Sequence, residues 1–561
     1  MAGYVKVSNT KENVLKILNS SDNSEKEKQG YFPLLEQRFE IIDKLAQGGK
    51  IEENPDGEIY KTKPLNYDGF VVNMNNAITN IDNLKAVNIT PEMFGAKGDG
   101  ITDDSAAIQN ALNVGGKIIF NKNKEYVVST TLKPKNNSFI ADANIIFKSK
   151  KTKTNCFEIK NKSNIYFNNI TIVSENIEDC VVIGEDFPNW NKCKSSNLVA
   201  FFISESNKIV MDGIYIENVS NILLMNNNST GYSDDIIFKN VNAKGIVCSA
   251  ISLQWVKRIS FENLYLKWTD LAYPKVHALY FSRNCQNISV NNVDIIHSQY
   301  MSSILQCGNF TADNFNNEDD INITFQNCRV SGCTPITIRH KNAKINFDNC
   351  LFVHDSMITS TGTTTGESMI SIYRDGENIE LNFNACTFKK TESVESVHLI
   401  YHHSEGLFEK INFVNCVISN VITVLSEMKN NLQLFLQSCT VNFERRFITN
   451  YTNLTIVNSN ILVDSCVLNQ ISGDGIISMG YDCGVNGIQI ELKNCYINSQ
   501  YTGVLFRNSY SNNIVRLMGC FIISKSTKLK SDYIDSLSCY LNNVMDGVNF
   551  LDCGSATELI E

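Results

Sequence analysis

Five carboxylates occupy two segments that interrupt an otherwise regular spacing: Glu318, Asp319 and Asp320 in the first, Glu367 and Asp375 in the second. Arg374 precedes the last of them, and all seven histidines of the 561-residue chain fall between His277 and His403. Acids about 5 Å or 6.5–9.5 Å apart suit retaining or inverting hydrolysis of a glycosidic bond. A base beside a cation or an arginine suits elimination next to a uronate instead. Trp190, in a third interruption near 176–200, could stack on a sugar ring. Trp255 and Trp268 could do the same, although packing in a core accounts for them as well. The five acids are therefore the catalytic candidates, and Trp190, His277, His340, His354 and Arg374 the substrate-binding ones. The bare pair Asp234-Asp235 precedes Ile236 at a strand entry and reads as a solvated turn. Ser-His-Asp and nucleotide-loop signatures are missing from the sequence, and no cofactor is expected.

Composition narrows what can position these groups. Apolar residues make up 43% and charged residues 19%, enough for a large core and too apolar for a disordered chain. The net charge is −9, and the densest basic stretch is only Lys148 to Lys153, which argues against a nucleic-acid partner. No window holds 18 uncharged apolar residues, and the first residues show no secretory pattern, so neither a membrane span nor a leader is expected. Eighteen cysteines are spread without a CxxC, which predicts free thiols in a core, no metal site and folding in a reducing cytoplasm. Proline occurs 8 times and asparagine 73 times. Few prolines and many asparagines suit a sheet with recurrent tight corners, because Asn tolerates the left-handed conformation such corners need.

Internal repetition decides the fold. One octet recurs from Ile323 to Ile522: apolar, any, apolar, any, small, Cys, any, apolar. It reads Ile323-Thr-Phe-Gln-Asn-Cys328-Arg-Val330, and again from Ile345, Leu381 and Ile411, with further copies around Cys439, Cys466, Cys495 and Cys520. Upstream, octets starting at Ile165, Ile209, Ile236, Ile259 and Ile288 take an aliphatic residue where the cysteine stands. Ile323 and Phe325 alternate as a half-buried strand does, whereas Cys328 and Val330 have the opposite parity. The chain must turn a corner at Asn327. Rungs of about 22 to 30 residues with short strands and an Asn corner predict an all-β chain, a right-handed single-stranded parallel β-helix of some 16 rungs, about 75 Å long. Stacked corners would let asparagine amides form a ladder, with the cysteines stacked inside. The interval from Val293 to Cys328 is 35 residues and that from Cys350 to Cys386 is 36, so each holds an insertion. Both start soon after an octet ends, and both are expected on one flank, about 10 Å apart.

The flanks differ. Residues 32–46 have an amphipathic helical pattern, and residues 70–87 space Val71, Met74, Ile78 and Ile81 as a short heptad seam. The expected organisation is a partly helical region over 1–88, the coil over 89–525 and a closing cap over 526–561.

The segment Phe94-Gly95-Ala96-Lys97-Gly98-Asp99-Gly100-Ile101-Thr102-Asp103-Asp104 continues into Ala107-Ile108-Gln109-Asn110-Ala111. It closely resembles the opening signature of the pectate-lyase-like superfamily, and the β-helix reading extends that resemblance over about 89–550. The signature is common in bacteriophage tail spikes and capsule depolymerases, and it occurs in secreted polysaccharide lyases and hydrolases. By this resemblance the chain is expected to be a phage or phage-tail-like spike that binds, and in one reading cleaves, a bacterial surface polysaccharide. It would be made in the host cytoplasm and carried on the virion as a homotrimer, with residues 1–88 docking to other tail or baseplate proteins. The alternatives are a secreted polysaccharide lyase or glycoside hydrolase and a non-catalytic adhesin. Asp99, Asp103 and Asp104 are expected to build a structural cap, with Asp103 or Asp104 accepting N–H groups at a helix start while Ile108, Ala111 and Leu112 plug the coil. Catalytic residues do not carry over, because of the polygalacturonase-type elements only the Asp234-Asp235 pair is present.

Overall fold

Strands of two to fourteen residues, with inward and outward positions alternating, wind the chain coil upon coil. In the computed structural model every coil places its strands beside those of the coil before and after, all in parallel, which makes a right-handed single-stranded parallel β-helix. The structure describes residues 51–53, 59–61, 88–148, 154–175, 198–226, 231–268, 277–296, 303–307, 320–332, 334–339, 342–355, 358–360, 363–365, 368–372, 378–391, 397–402, 409–426, 431–450, 456–472, 477–479, 485–486, 488–499, 504–506, 513–524, 529–531 and 537–542. The chain divides into two compact units, Met1–Val87 and Asn88–Glu561. Of the first, the described part is an antiparallel hairpin of Ile51–Glu53 and Ile59–Lys61. The helical patterns at 32–46 and 70–87 lie outside the described residues.

The coil has three faces. The first stacks sixteen strands from Gly116–Ile119 to Leu537–Asn542, so at ~4.8 Å per rung it is about 72 Å long. The final strand pairs Leu541 with Leu517 and so adds a coil within 526–561, the range expected to close the rod. That range lacks the octet's cysteine yet keeps the apolar alternation that pairing needs. The second face carries Arg329–Gly332, Leu351–His354 and Thr387–Lys390, and the third carries Ile336–Ile338, Ser368–Ile372 and His398–His402.

Registry places like on like inside. Ile323, Ile345, Leu381 and Ile411 are aligned and buried, and the rings of Phe325, Phe347, Phe383 and Phe413 stack with centroids 5.0, 4.7 and 4.8 Å apart. Cys328, Cys350, Cys386, Cys416, Cys439, Cys466, Cys495 and Cys520 are all buried free thiols. Their Sγ atoms donate to backbone carbonyls at the corner; that of Cys416 meets Phe383 O at 3.5 Å and Val414 O at 3.3 Å. A serine at 416 would find these same acceptors, so its hydroxyl would not be left without a partner, contrary to what packing alone suggests.

The corner between first and second faces is left-handed in every coil from Asp142 to Gly519. Asn240, Asn263, Asn292, Asn327, Asn349 and Asn415 have φ between 51° and 58°, and so do Ala385, Ser438 and Ser465. Asparagine side chains bridge successive corners, from Asn263 Nδ2 to Asn240 Oδ1 at 3.0 Å, from Asn292 to Asn263 at 2.8 Å and from Asn349 to Asn327 at 2.8 Å. The ladder is therefore segmented, stopping where Ala385 and the two serines supply no amide.

The coil's N-terminal end is closed by α1, Ser105–Val114, whose Ile108, Ala111 and Leu112 are fully buried. Asp103 accepts the Ser105 N–H at 3.0 Å. Asp104 stands at the N-cap position, but its buried carboxylate turns back to accept the N–H groups of Lys97 at 2.7 Å and Gly98 at 2.9 Å. Gly98 has φ +58°, and a Cβ there would lie 2.8 Å from the Lys124 side chain. Asp99 accepts the N–H groups of Thr102 at 2.7 Å and Ile101 at 3.0 Å, and those bonds hold its exposed carboxyl at about 2.

Alanine in the left-handed region costs about 1 kcal/mol more than asparagine, and one added amide bond contributes about 1 kcal/mol. Ala385→Asn is therefore expected to stabilise the coil by about 1–2 kcal/mol, read as a higher midpoint in urea unfolding, while Ala385→Val lowers it. An unchanged midpoint for the asparagine variant would mean that corner amides contribute nothing to cohesion.

Candidate functional site

On a β-helix the inward positions are committed to packing, so chemistry is left to the outward columns and the connections. The first face shows what its outward columns can build. Residues between the two apolar positions of successive octets align as Asn346, Asn382, Asn412, Phe435, Leu462 and Glu491. Two residues earlier, Lys410, Gln433, Asn460 and Gln489 align in the same way. Apart from Asn346, these residues line a groove of about 760 Å³ together with Asn384. Asn382 Nδ2 donates to Asn346 Oδ1 at 2.9 Å, and Asn412 Nδ2 to Asn382 Oδ1 at 2.6 Å. Beyond Asn412 the column turns apolar at half-buried Phe435 and Leu462, beside exposed Gln433, Asn460 and Gln489.

The charges on this face are largely paired with each other. Burial pushes the Glu380 carboxyl up, but the Asn382 hydrogen bond and the Lys344 ion pair at 3.2 Å outweigh it and leave the group below the usual carboxylate range. Glu491 pairs with Lys493 at 2.8 Å. Glu380 and Glu491 are four rungs apart, about 19 Å, too far to act on one glycosidic bond. Asp464 and Glu491 stand on adjacent strands, two residues out of register, with backbones about 8 Å apart. Among the described residues no group of three His, Cys, Asp or Glu is placed to hold a metal ion.

Most residues singled out from sequence do not meet here. Glu318, Asp319, Glu367, Arg374, Asp375, Trp190 and His340 lie outside the described residues. Asp320 opens the strand Asp320–Gln326 and His277 opens His277–Phe281, on the first and third faces respectively. Strand Ser303–Cys307 divides the first insertion, so 297–302 joins the second face to the third and 308–319 the third to the first, while in the second insertion 355–367 joins the second face to the third. Counting residues between octets could not reveal a strand lying inside an insertion. His354 is fully buried, which removes it from reach of a ligand on the coil's surface. Trp268 is buried, its Nε1 donating to Cys248 O at 2.9 Å, so its role is packing. Asp234 and Asp235 hold Arg258 at 2.5 and 2.6 Å in a corner ion cluster. The groove's residues were visible in the octets as the recurring Asn of Ile345-Asn-Phe, Leu381-Asn-Phe and Ile411-Asn-Phe, a column the corner asparagines overshadow.

Of the clustered histidines, His354 and His402 are buried and His398 is half-buried. Burial pushes the His398 imidazole down to about 4. His402 Nε2 makes a short hydrogen bond with Glu409 Oε2, and both side chains are buried. Glu409 occupies a column whose neighbours are Ile379 and Leu432, while His402 aligns with Ile372. His402 Nδ1 and Glu409 Oε1 have no hydrogen-bond partner among the described residues. Removing one member of such a pair leaves a buried polar group alone and costs about 3–5 kcal/mol, whereas replacing both by apolar residues is neutral or stabilising by about 1–4 kcal/mol. Glu409→Leu is thus expected to destabilise strongly, and His402→Leu with Glu409→Leu to restore or exceed the parent's unfolding midpoint. A double variant as unstable as the single one would show that the pair supplies cohesion.

The groove and the ladder define a right-handed parallel β-helix with an amide-lined face on its side. No family model matches the chain. Curated proteins similar to part of it include the capsule K30/K69-specific depolymerase of Klebsiella phage K64-1, 48% identical over 59 residues, 10% of this chain and 7% of that protein. The capsule KN3-specific depolymerase 1 of Klebsiella phage KN3-1 is 51% identical over 43 residues, 7% of this chain and 5% of that protein. Solved structures it resembles include an exopolygalacturonase from Thermotoga maritima, at 12% identity over 64% of this chain and 87% of that one, with a TM-score of 0.40. Another is the N-terminal fragment of gene product 12 of bacteriophage Phi29, at 12% identity over 82% of this chain and 94% of that one, also with a TM-score of 0.40. The chain is similar in fold to parallel β-helix proteins and, over short stretches of sequence, to phage depolymerases.

Proposed function

We propose that this chain is the receptor-binding spike of a phage or phage-tail-like particle, and that it recognises a bacterial surface polysaccharide along the first face and cuts it there. The observation that carries this reading is the groove itself, a row of amides beside an aromatic and an aliphatic side chain on a rigid face. Amides hydrogen-bond hydroxyls, and apolar side chains cover the C–H face of a pyranose ring. The short similarities to two phage proteins named as capsule depolymerases support the same substrate class and a place on the virion. Asp464 and Glu491 are the acids we assign to hydrolysis, with the 308–319 and 355–367 segments as a second region where acids could act.

The test is incubation of the purified chain with polysaccharide from candidate host surfaces, following polymer length and the ultraviolet absorbance of unsaturated uronates. The expected result is shortening without absorbance, lost in Glu491→Gln at unchanged thermal stability. Shortening with absorbance would replace hydrolysis by elimination, and binding without shortening would leave an adhesin.

The spike reading also includes association of three chains through residues 70–87 and the coil's flanks, with residues 1–88 meeting other tail proteins. A seam of two heptads is too short to hold chains together alone, so the flanks must contribute. Light scattering at neutral pH should give about three times the 63.0 kDa chain mass. A monomeric mass in dilute buffer would favour a free polysaccharide-degrading enzyme.

A further inference from the structure

Resting on that reading, we infer that the groove on the first face is built for an uncharged polysaccharide, one ring of which lies on Phe435 and Leu462. Four observations carry the argument. First, the polar part of the lining is mostly amides: Asn382, Asn384, Asn412, Gln433, Asn460 and Gln489. Second, these amides divide by function. Asn382 and Asn412 bond along their own column and Asn384 Nδ2 donates to Asp348 at 2.7 Å, whereas Gln433, Asn460 and Gln489 are exposed on three successive strands. Exposed amides offer both a donor and an acceptor, which matches a hydroxyl, itself both, better than a carboxylate, which only accepts.

Third, Phe435 and Leu462 are outward neighbours on adjacent strands, about 4.8 Å apart, close to the width of one pyranose ring. Fourth, the cations bordering the groove each stand beside a carboxylate, Arg516 next to Glu491 among them. Lys344 pairs with Glu380 and Lys493 with Glu491, and Lys410, the one lysine in the lining, stands where it lowers the same Glu380 carboxyl. The groove's own charged residues, Lys410 and Glu491, sum to zero. A polymer with a carboxylate on each sugar would meet no excess of positive charge and would have to lose its hydration without compensation. An uncharged chain meets no such penalty.

The experiment is affinity electrophoresis of the full chain through gels containing an α-glucan, a β-glucan, a galactomannan or a galactan, and through gels containing polygalacturonate or alginate. The expected result is retardation by at least one neutral polymer that changes less than twofold between 50 and 500 mM salt. Phe435→Ala and the double variant Gln433→Ala/Asn460→Ala should each weaken it at least tenfold. Thr440→Ala, on the second face, should leave it unchanged, and urea unfolding would confirm that all variants fold. Retardation by the anionic polymers alone, falling steeply with salt, would overturn the uncharged assignment while leaving a polysaccharide-binding spike in place. Neutral binding that survives both groove variants would move the site elsewhere. Retardation by none of the polymers would overturn the inference and the functional reading together.

Discussion

A coil of parallel β-helix has only the coils before and after it for partners, and they stand at one fixed spacing of about 4.8 Å. Every residue position is therefore repeated as a column, and each side chain's first neighbour is whatever occupies the same position one rung away. This single constraint decides what is allowed. Flat rings tolerate it and stack, as Phe347 and Phe383 do at an interplanar angle of 4°. Amides tolerate it because each can donate to one neighbour and accept from the other. Like charges do not, and on the first face Lys410 follows Glu380, which follows Lys344.

The same constraint explains what could be read from the sequence and what could not. Columns make the fold legible, because the octet exposes Ile323 and Phe325 as one facing pair and Cys328 and Val330 as another. The corner at Asn327 followed from the parity change between those pairs, and its φ of 54° is the left-handed value that the turn requires. Departures from the column were opaque. Ala385 carries the same backbone without an amide, and strand Ser303–Cys307 hides inside what spacing marks as an insertion. Glu409 was invisible as a buried acid, since its octet-flanking position reads as polar while its neighbours in the column, Ile379 and Leu432, are one coil away in space and 30 and 23 residues away in sequence.

The buried pair shows how the column rule bends. An acid facing the core would be excluded on its own, and an imidazole costs less but gains nothing from apolar neighbours. His402 ends a strand of the third face and Glu409 begins the next strand of the first, so the two meet across a corner and not along a column. Each satisfies the other where neither coil above nor below could. The histidine clustering in the sequence thus reflects, at His354 and His402, side chains drawn into the coil, while half-buried His398 has its imidazole pushed down by desolvation.

The groove arises from a break in a column. Through Asn346, Asn382 and Asn412 the outward column bonds to itself, and a surface that satisfies itself has little to offer a ligand. At Phe435 the amides stop, so Asn412 has no amide above it to accept, and the flanking Gln433, Asn460 and Gln489 face outward beside an apolar step. The rungs fix the spacing of these groups without any ligand, so a ligand bound there would cost them little conformational entropy. A recognition surface on this fold needs no dedicated loop. It needs only a few coils in which the outward residue ceases to match its neighbour.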